Sequence, residues 1–142
     1  MAENEPILQY IIEGQRRWGT RAFADGRVEA LSDRSVSVTE DGGFSTAPVE
    51  LAWRPRAQLS ADQCEALRAL IRDSDFFTLP ASLGADEQIQ DGAVTTWTVR
   101  RDEETHQVRA YGARHASNPT LEELRRGFEL LVAQAITRDA AA

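Results

Sequence analysis

Residues 60–80 read SADQCEALRALIRDSDFFTLP. Ser60 followed by Gln63 is a capping box, in which the hydroxyl satisfies the N3 amide and the longer side chain returns to the cap amide. Leu59 before the cap and Cys64 after it can close a hydrophobic staple. Cys64, Leu67, Leu70 and Ile71 recur at helical spacing and give one apolar stripe. Arg68 and Arg72 suit the negative end of the helix dipole. The spacing predicts a helix over 60–74 lying on a core. Phe76 and Phe77 follow as neighbours, and adjacent side chains diverge too far to enter one core together. One is expected to close the core under the helix end and the other to cover the junction, with Pro80 ending any helical continuation.

Upstream the pattern is β. ILQYIIE (7–13) is a strand rich in β-formers. WGTRAFA (18–24), Asp25-Gly26 and RVEAL (27–31) read as a hairpin with Asp-Gly in a two-residue type I′ turn. That register sets Phe23 opposite Val28 on the core face. SVSVTE (35–40), Asp41-Gly42-Gly43 and FSTAPVELAWR (44–54) read as another strand pair, where Pro48 marks an edge or an interruption.

Downstream, thirteen residues from Pro80 to Gly92 form a long connection. Such loops are uncommon in small domains and are usually functional or disordered. AVTTWTVR (93–100) and THQVRAY (105–111) make a further hairpin across RDEE. Trp97 and Val99 share one face of its first strand, and His106, Val108 and Ala110 share one face of its second. A final helix covers about 119–137, started either by Asn118 with Pro119 at N1 or by a Thr120–Glu123 capping box. Leu121, Leu124, Phe128, Leu131, Val132, Ala135 and Ile136 form its apolar stripe. The order predicts a single α+β domain, an antiparallel sheet of hairpins with two helices packed on one face. Residues 1–7 and 138–142 are expected to fray.

A chain of 142 residues suits one domain with one core. Its 16 basic and 23 acidic residues leave a net charge of −7, which argues against nucleic acid and anionic membrane surfaces as partners. Every basic residue is arginine, so no lysine is present to form a Schiff base or act as a general base. No apolar run approaches the roughly 20 residues of a membrane span, and the acidic start is unlike a secretory signal. The lone Cys64 excludes an internal disulfide, and a cytoplasmic location is expected.

No catalytic motif is present: no HExxH, no paired cysteines, no GxSxG and no glycine-rich phosphate loop. His106 is expected to be packed or hydrogen-bonded in the sheet, and His115 to lie in an exposed loop. Without suitable partners neither supports a metal site, and no cofactor is expected. Asp86, Glu87 and Asp91 depart from an EF-hand spacing and read as a solvated loop. Cys64 reads as a small buried hydrophobe. Of the three tryptophans, Trp18 is the best candidate to anchor a partner, because it follows GQRR and alternates away from Phe23.

From about residue 36 the chain resembles the emfourin-like family, small bacterial proteins whose namesake inhibits protealysin. The resemblance is carried by VSVTEDGGFS (36–45), LSADQCEALRALIRDSDFFTLPASL (59–83), DGAVTTWTVRRDEETHQVRA (91–110) and LEELRRGFELLVAQA (121–135). About 35 residues precede this match, which makes 1–35 an extension relative to the family. A second alignment instead sets YIIEGQRRWGTRAFADGRVEAL (10–31) against the family's first hairpin and makes DGGFS an insertion. The resemblance implies a non-enzymatic inhibitor that occludes the cleft of a thermolysin-like zinc metallopeptidase, with the zinc belonging to the protease. The contact residues expected are Gly42, Gly43 and Phe44, with Arg17 and Trp18 as the rival loop, and Phe44 is equally compatible with a core position. The competing reading is a protein-binding or assembly module with a non-protease partner.

Overall fold

The first strand of the chain lies in the middle of the sheet. A computed structural model describes residues 5–14, 16–83, 94–111 and 118–141. β1 (Leu8–Glu13) pairs with β2 (Arg17–Ala22) on one side and β6 (Val94–Arg101) on the other. β3 (Arg27–Val38) and β4 (Phe44–Gln58) extend the sheet past β2. Past β6 come β7 (Glu104–Tyr111) and the short β5 (Ser82–Leu83). The order is β4-β3-β2-β1-β6-β7-β5, antiparallel except for the β5–β7 pair. Residues 7–31 are thus integral to the domain: Leu8 and Tyr10 of β1, Ala22 of β2 and Val28 of β3 are all buried in its core.

Alternation along each strand builds one apolar face. Leu8 and Tyr10 sit beside Val99 and Trp97 of β6, which in turn face His106 and Val108 of β7. This face is covered by α1 (Ala61–Asp73) and α2 (Pro119–Ala141), whose Leu67, Ile71, Leu124, Phe128 and Val132 complete one core. Each large side chain buried there stabilises the fold by about 1.5–3 kcal/mol.

α1 begins as its sequence dictates. The Gln63 amide N–H donates to Ser60 Oγ (3.2 Å), and the Ser60 N–H donates to Gln63 Oε1 (2.9 Å). Leu59 and Cys64 are both buried, and burial pushes the Cys64 thiol above its ordinary pKa. At the start of α2, Asn118 Oδ1 accepts from the Leu121 N–H (3.1 Å), which makes Asn118 the cap and Pro119 the first helical residue. A Cβ at Gly127 would lie 2.7 Å from Leu70 Cδ2, so the missing side chain lets α2 approach α1.

The two phenylalanines divide as expected. Phe76, in a 3-10 turn over Phe76–Thr78, is fully buried, while Phe77 is half-buried with the Arg101 guanidinium 4.2 Å above its ring. His106 packs 5.5 Å from Phe76 and 5.9 Å from Phe77, and its Nε2 donates to the Leu79 carbonyl (2.7 Å). It ties the helix exit to the sheet.

Several expectations need correcting. Asp25-Gly26 does not form a two-residue turn, and the register is one residue away from the expected one. Val28 faces Ala22, while the Phe23 N–H donates to Arg27 O (2.9 Å) and the Gly26 N–H to Phe23 O (3.0 Å). Gly26 takes φ +92°, so the loop is a turn closed by a left-handed glycine, which needs three residues. Phe23 is buried outside the helix-covered core, with Arg27 4.2 Å and Arg21 5.2 Å from its ring. The segments 27–31 and 35–40 are not separate strands: β3 runs through 27–38. An irregularity between Ser32 and Arg34 absorbs the polar break, and Arg54 donates to the carbonyls of Ser32 (2.6 Å) and Glu50 (2.7 Å) across it.

Ile136 is 44% exposed and leaves the expected stripe. The ends are more structured than foreseen. Ile7 is buried, and α2 continues to Ala141, with Arg138 donating to Gln58 O (2.7 Å). Most of the long connection, with Asp86, Glu87 and Asp91, lies outside the described residues, as does His115.

Candidate protein-interaction site

β2 accompanies β3 only from Val28 to Leu31. Beyond that, β3 and β4 pair with each other alone, from Ser32–Ala52 out to Val38–Phe44. At about 3.3 Å per residue this two-stranded ribbon projects roughly 20 Å from the sheet. It leaves beside the β1–β2 connection, where Arg16 pairs with Asp33 (3.0 Å).

The turn at its tip repeats the construction of the Phe23–Arg27 turn. The Thr39 N–H donates to Gly43 O (2.9 Å), the Gly42 N–H donates to Thr39 O (3.0 Å), and Gly42 takes φ +86°. Asp41 accepts from the Thr39 hydroxyl and from the Gly43 N–H (3.3 Å), just as Asp25 accepts from the Arg27 N–H (3.0 Å). These bonds, the Thr39 hydroxyl first, hold the Asp41 carboxyl below its ordinary range. The tip is therefore a defined turn with an open apex: among the described residues, a Cβ at Gly42 would meet no atom within 4 Å.

Phe44 sits on this frame 77% exposed, and Val38, its partner across the ribbon, is 71% exposed. Thr46 and Pro48 share the Phe44 side by alternation and are also exposed. The expected contact residues Gly42, Gly43 and Phe44 thus come together at one apex, and the open question over Phe44 is settled against the core. Val38 was missed in the sequence, although any turn across 39–43 makes it the cross-strand neighbour of Phe44.

The rival pair lies elsewhere. Arg17 and Trp18 open β2 at the base of the ribbon, and the structure does not bring them to the tip. Trp18 is 46% exposed, packs edge-on against Tyr10 (6.5 Å), and forms one wall of a cleft of about 510 Å³. The opposite wall is α2, with Arg125, Arg126 and Glu129. Beneath lies a partly buried charge network. Arg56 grips Glu129 with both ends of its guanidinium (2.7 and 3.2 Å) and also donates to Thr20 Oγ1 (3.2 Å), while the Tyr10 hydroxyl donates to Glu129.

Burial alone would raise the Glu129 carboxyl, but Arg56 and Tyr10 outweigh it and hold it below the usual carboxylate range. Burial, reinforced by Glu129, pushes the Tyr10 hydroxyl far above its usual value. The pair to Glu129 raises Arg56 further. These shifts favour the ionised carboxylate and guanidinium beside a neutral phenol, and the network fastens β4 to α2. Its members come from positions 10, 20, 56 and 129, and no local spacing announces them.

Trp53 is half-buried with the Arg21 guanidinium 4.1 Å from its ring, and Trp97 is core. Among the described residues no three His, Cys, Asp or Glu side chains are grouped to hold a metal ion. No helix among them is long and apolar enough to cross a membrane. Compared with known families, curated proteins and solved structures, the chain matches none.

Proposed function

We propose that this protein is a non-enzymatic inhibitor that inserts the tip of its β3–β4 ribbon into the substrate cleft of a thermolysin-like zinc metallopeptidase. The observation that carries the reading is the exposure of Phe44 on a braced turn at the end of a ribbon. Exposed aromatic side chains on a rigid frame are what interface hot spots are made of, because little ordering is required on binding. The partner class comes from the emfourin-like resemblance, and a cleft that prefers a large apolar side chain fits Phe44. A standard interface of about 800 Å² per partner exceeds what one tip offers, so the flanks of the ribbon must share the contact. Titration of a thermolysin-like peptidase with the folded protein tests this. Stoichiometric loss of activity that Phe44→Ala weakens is expected; full activity at micromolar inhibitor opposes it.

Trp18 favours a second reading, an assembly module with a non-protease partner. It is half-exposed at the base of the ribbon, roughly 20 Å from the tip. A captured partner released by Trp18→Ala but retained by Phe44→Ala would favour this alternative.

A further inference from the structure

Past Leu31, β3 has no strand beside it on the β2 side, and this edge runs uncovered among the described residues as far as Val38. The tip fixes which way its backbone groups point. Thr39 and Gly43 face each other, with the Thr39 N–H donating to Gly43 O (2.9 Å). Alternation back along the register turns the groups of Ser37 toward β4 and those of Arg34, Val36 and Val38 away from it. Pro48 lies opposite Arg34, where no N–H toward β3 is needed, which agrees with that direction.

The two edges of the ribbon are protected unequally. Pro48 and Pro55 interrupt β4, a common defence of an exposed edge. On β3 the Ser32 hydroxyl closes only Arg34, accepting from its N–H and donating to its carbonyl (both 3.0 Å). The N–H and C=O groups of Val36 and Val38 have no partner among the described residues.

We infer that this edge pairs with the same edge of a second copy of the chain, antiparallel about a two-fold axis at Ser37. That register sets Val36 opposite Val38 of the second copy, and Val38 opposite its Val36, so the four open groups of each copy are bonded. An axis at Val36 would instead oppose Val38 to the Arg34 groups that Ser32 already holds. The charges fit the same axis. Arg34 arrives beside Glu40 of the second copy, and both residues are exposed and without an ion pair among the described residues. The acidic tip, Glu40 and Asp41, then meets the β1–β2 connection of the second copy, where Arg17 is likewise exposed and unpaired and Arg16 holds Asp33 (3.0 Å). Any extended peptide could use the backbone groups, but a second copy supplies both charges from the same segment. The inference goes beyond the inhibitor reading and does not rest on it.

Sedimentation velocity of the full chain, from about 5 µM to about 1 mM at low ionic strength, tests the pairing, because a small interface implies a weak, reversible dimer. Val38→Pro removes a bonding N–H from the open edge and none from the ribbon's own ladder, so it should be monomeric throughout with an unchanged thermal transition. Arg34→Glu and Glu40→Arg should each weaken the dimer about tenfold, and the two together should restore it. A wild-type chain that stays monomeric at the highest concentration overturns the inference. So does a dimer that survives Val38→Pro, or one whose affinity both charge reversals leave unchanged.

Discussion

Val38 and Phe44 face each other at the far end of the β3–β4 ribbon, and neither is covered by any other part of the described chain. An apolar pair in that position contributes little to the fold and is available to a partner. Phe44→Ala should therefore leave stability within about 0.5 kcal/mol of wild type in urea denaturation. The same change should weaken binding of the proposed peptidase by about 2 kcal/mol, roughly thirtyfold in the inhibition constant. A loss of stability with unchanged inhibition would reverse the assignment.

The adjacent phenylalanines give the opposite contrast. Phe76→Ala empties a fully buried site beneath the end of α1 and should cost about 3–5 kcal/mol. Phe77 is half-buried against His106 and Arg101, and Phe77→Ala should cost about 1–2 kcal/mol. Chemical denaturation of both variants checks the order. Equal costs would mean that the junction carries as much of the fold as the core.

How far these features could be read from the sequence depended on the range of the forces that set them. Ser60 and Gln63 act within one turn, so the helix start was legible to the residue. Asn118 and Thr120 both satisfied the local rule for α2, and only the Leu121 amide decided between them. Asp25-Gly26 was recognisable as a turn but not as one with a left-handed glycine outside the two central positions, and that difference moves the register by one residue. β1 between β2 and β6 depends on contacts some ninety residues apart (Leu8 with Val99), which no local pattern encodes. The Tyr10–Glu129–Arg56 cluster was invisible for the same reason. The exposure of Phe44 followed from β3 running on past β2, which the polar Ser32–Arg34 stretch concealed.

Glu129 makes the acid stability of the fold testable. Its folded pKa is lowered, so the unfolded chain takes up the proton first as pH falls. The stabilisation is complete above the unfolded value of about 4.3 and is lost as pH drops through the lower folded value. Glu129→Gln should cost about 1–2 kcal/mol at neutral pH. The gap from wild type should shrink below about pH 4 as the native carboxylate is protonated. Urea midpoints for both proteins across this range provide the measurement. A gap constant with pH would mean that the carboxylate charge contributes nothing.

Asp102 is the one described non-glycine residue at positive φ, in the two-residue turn between Arg101 and Glu104. Glycine adopts that conformation without a Cβ clash but loses more freedom on folding, so Asp102→Gly should change stability by only about 0.5 kcal/mol, in the stabilising direction. Valine, β-branched and poorly suited to this region, should destabilise by about 1–2 kcal/mol. Thermal denaturation of the two variants checks the order, and a loss of stability with glycine would mean that the Asp102 side chain itself holds the turn.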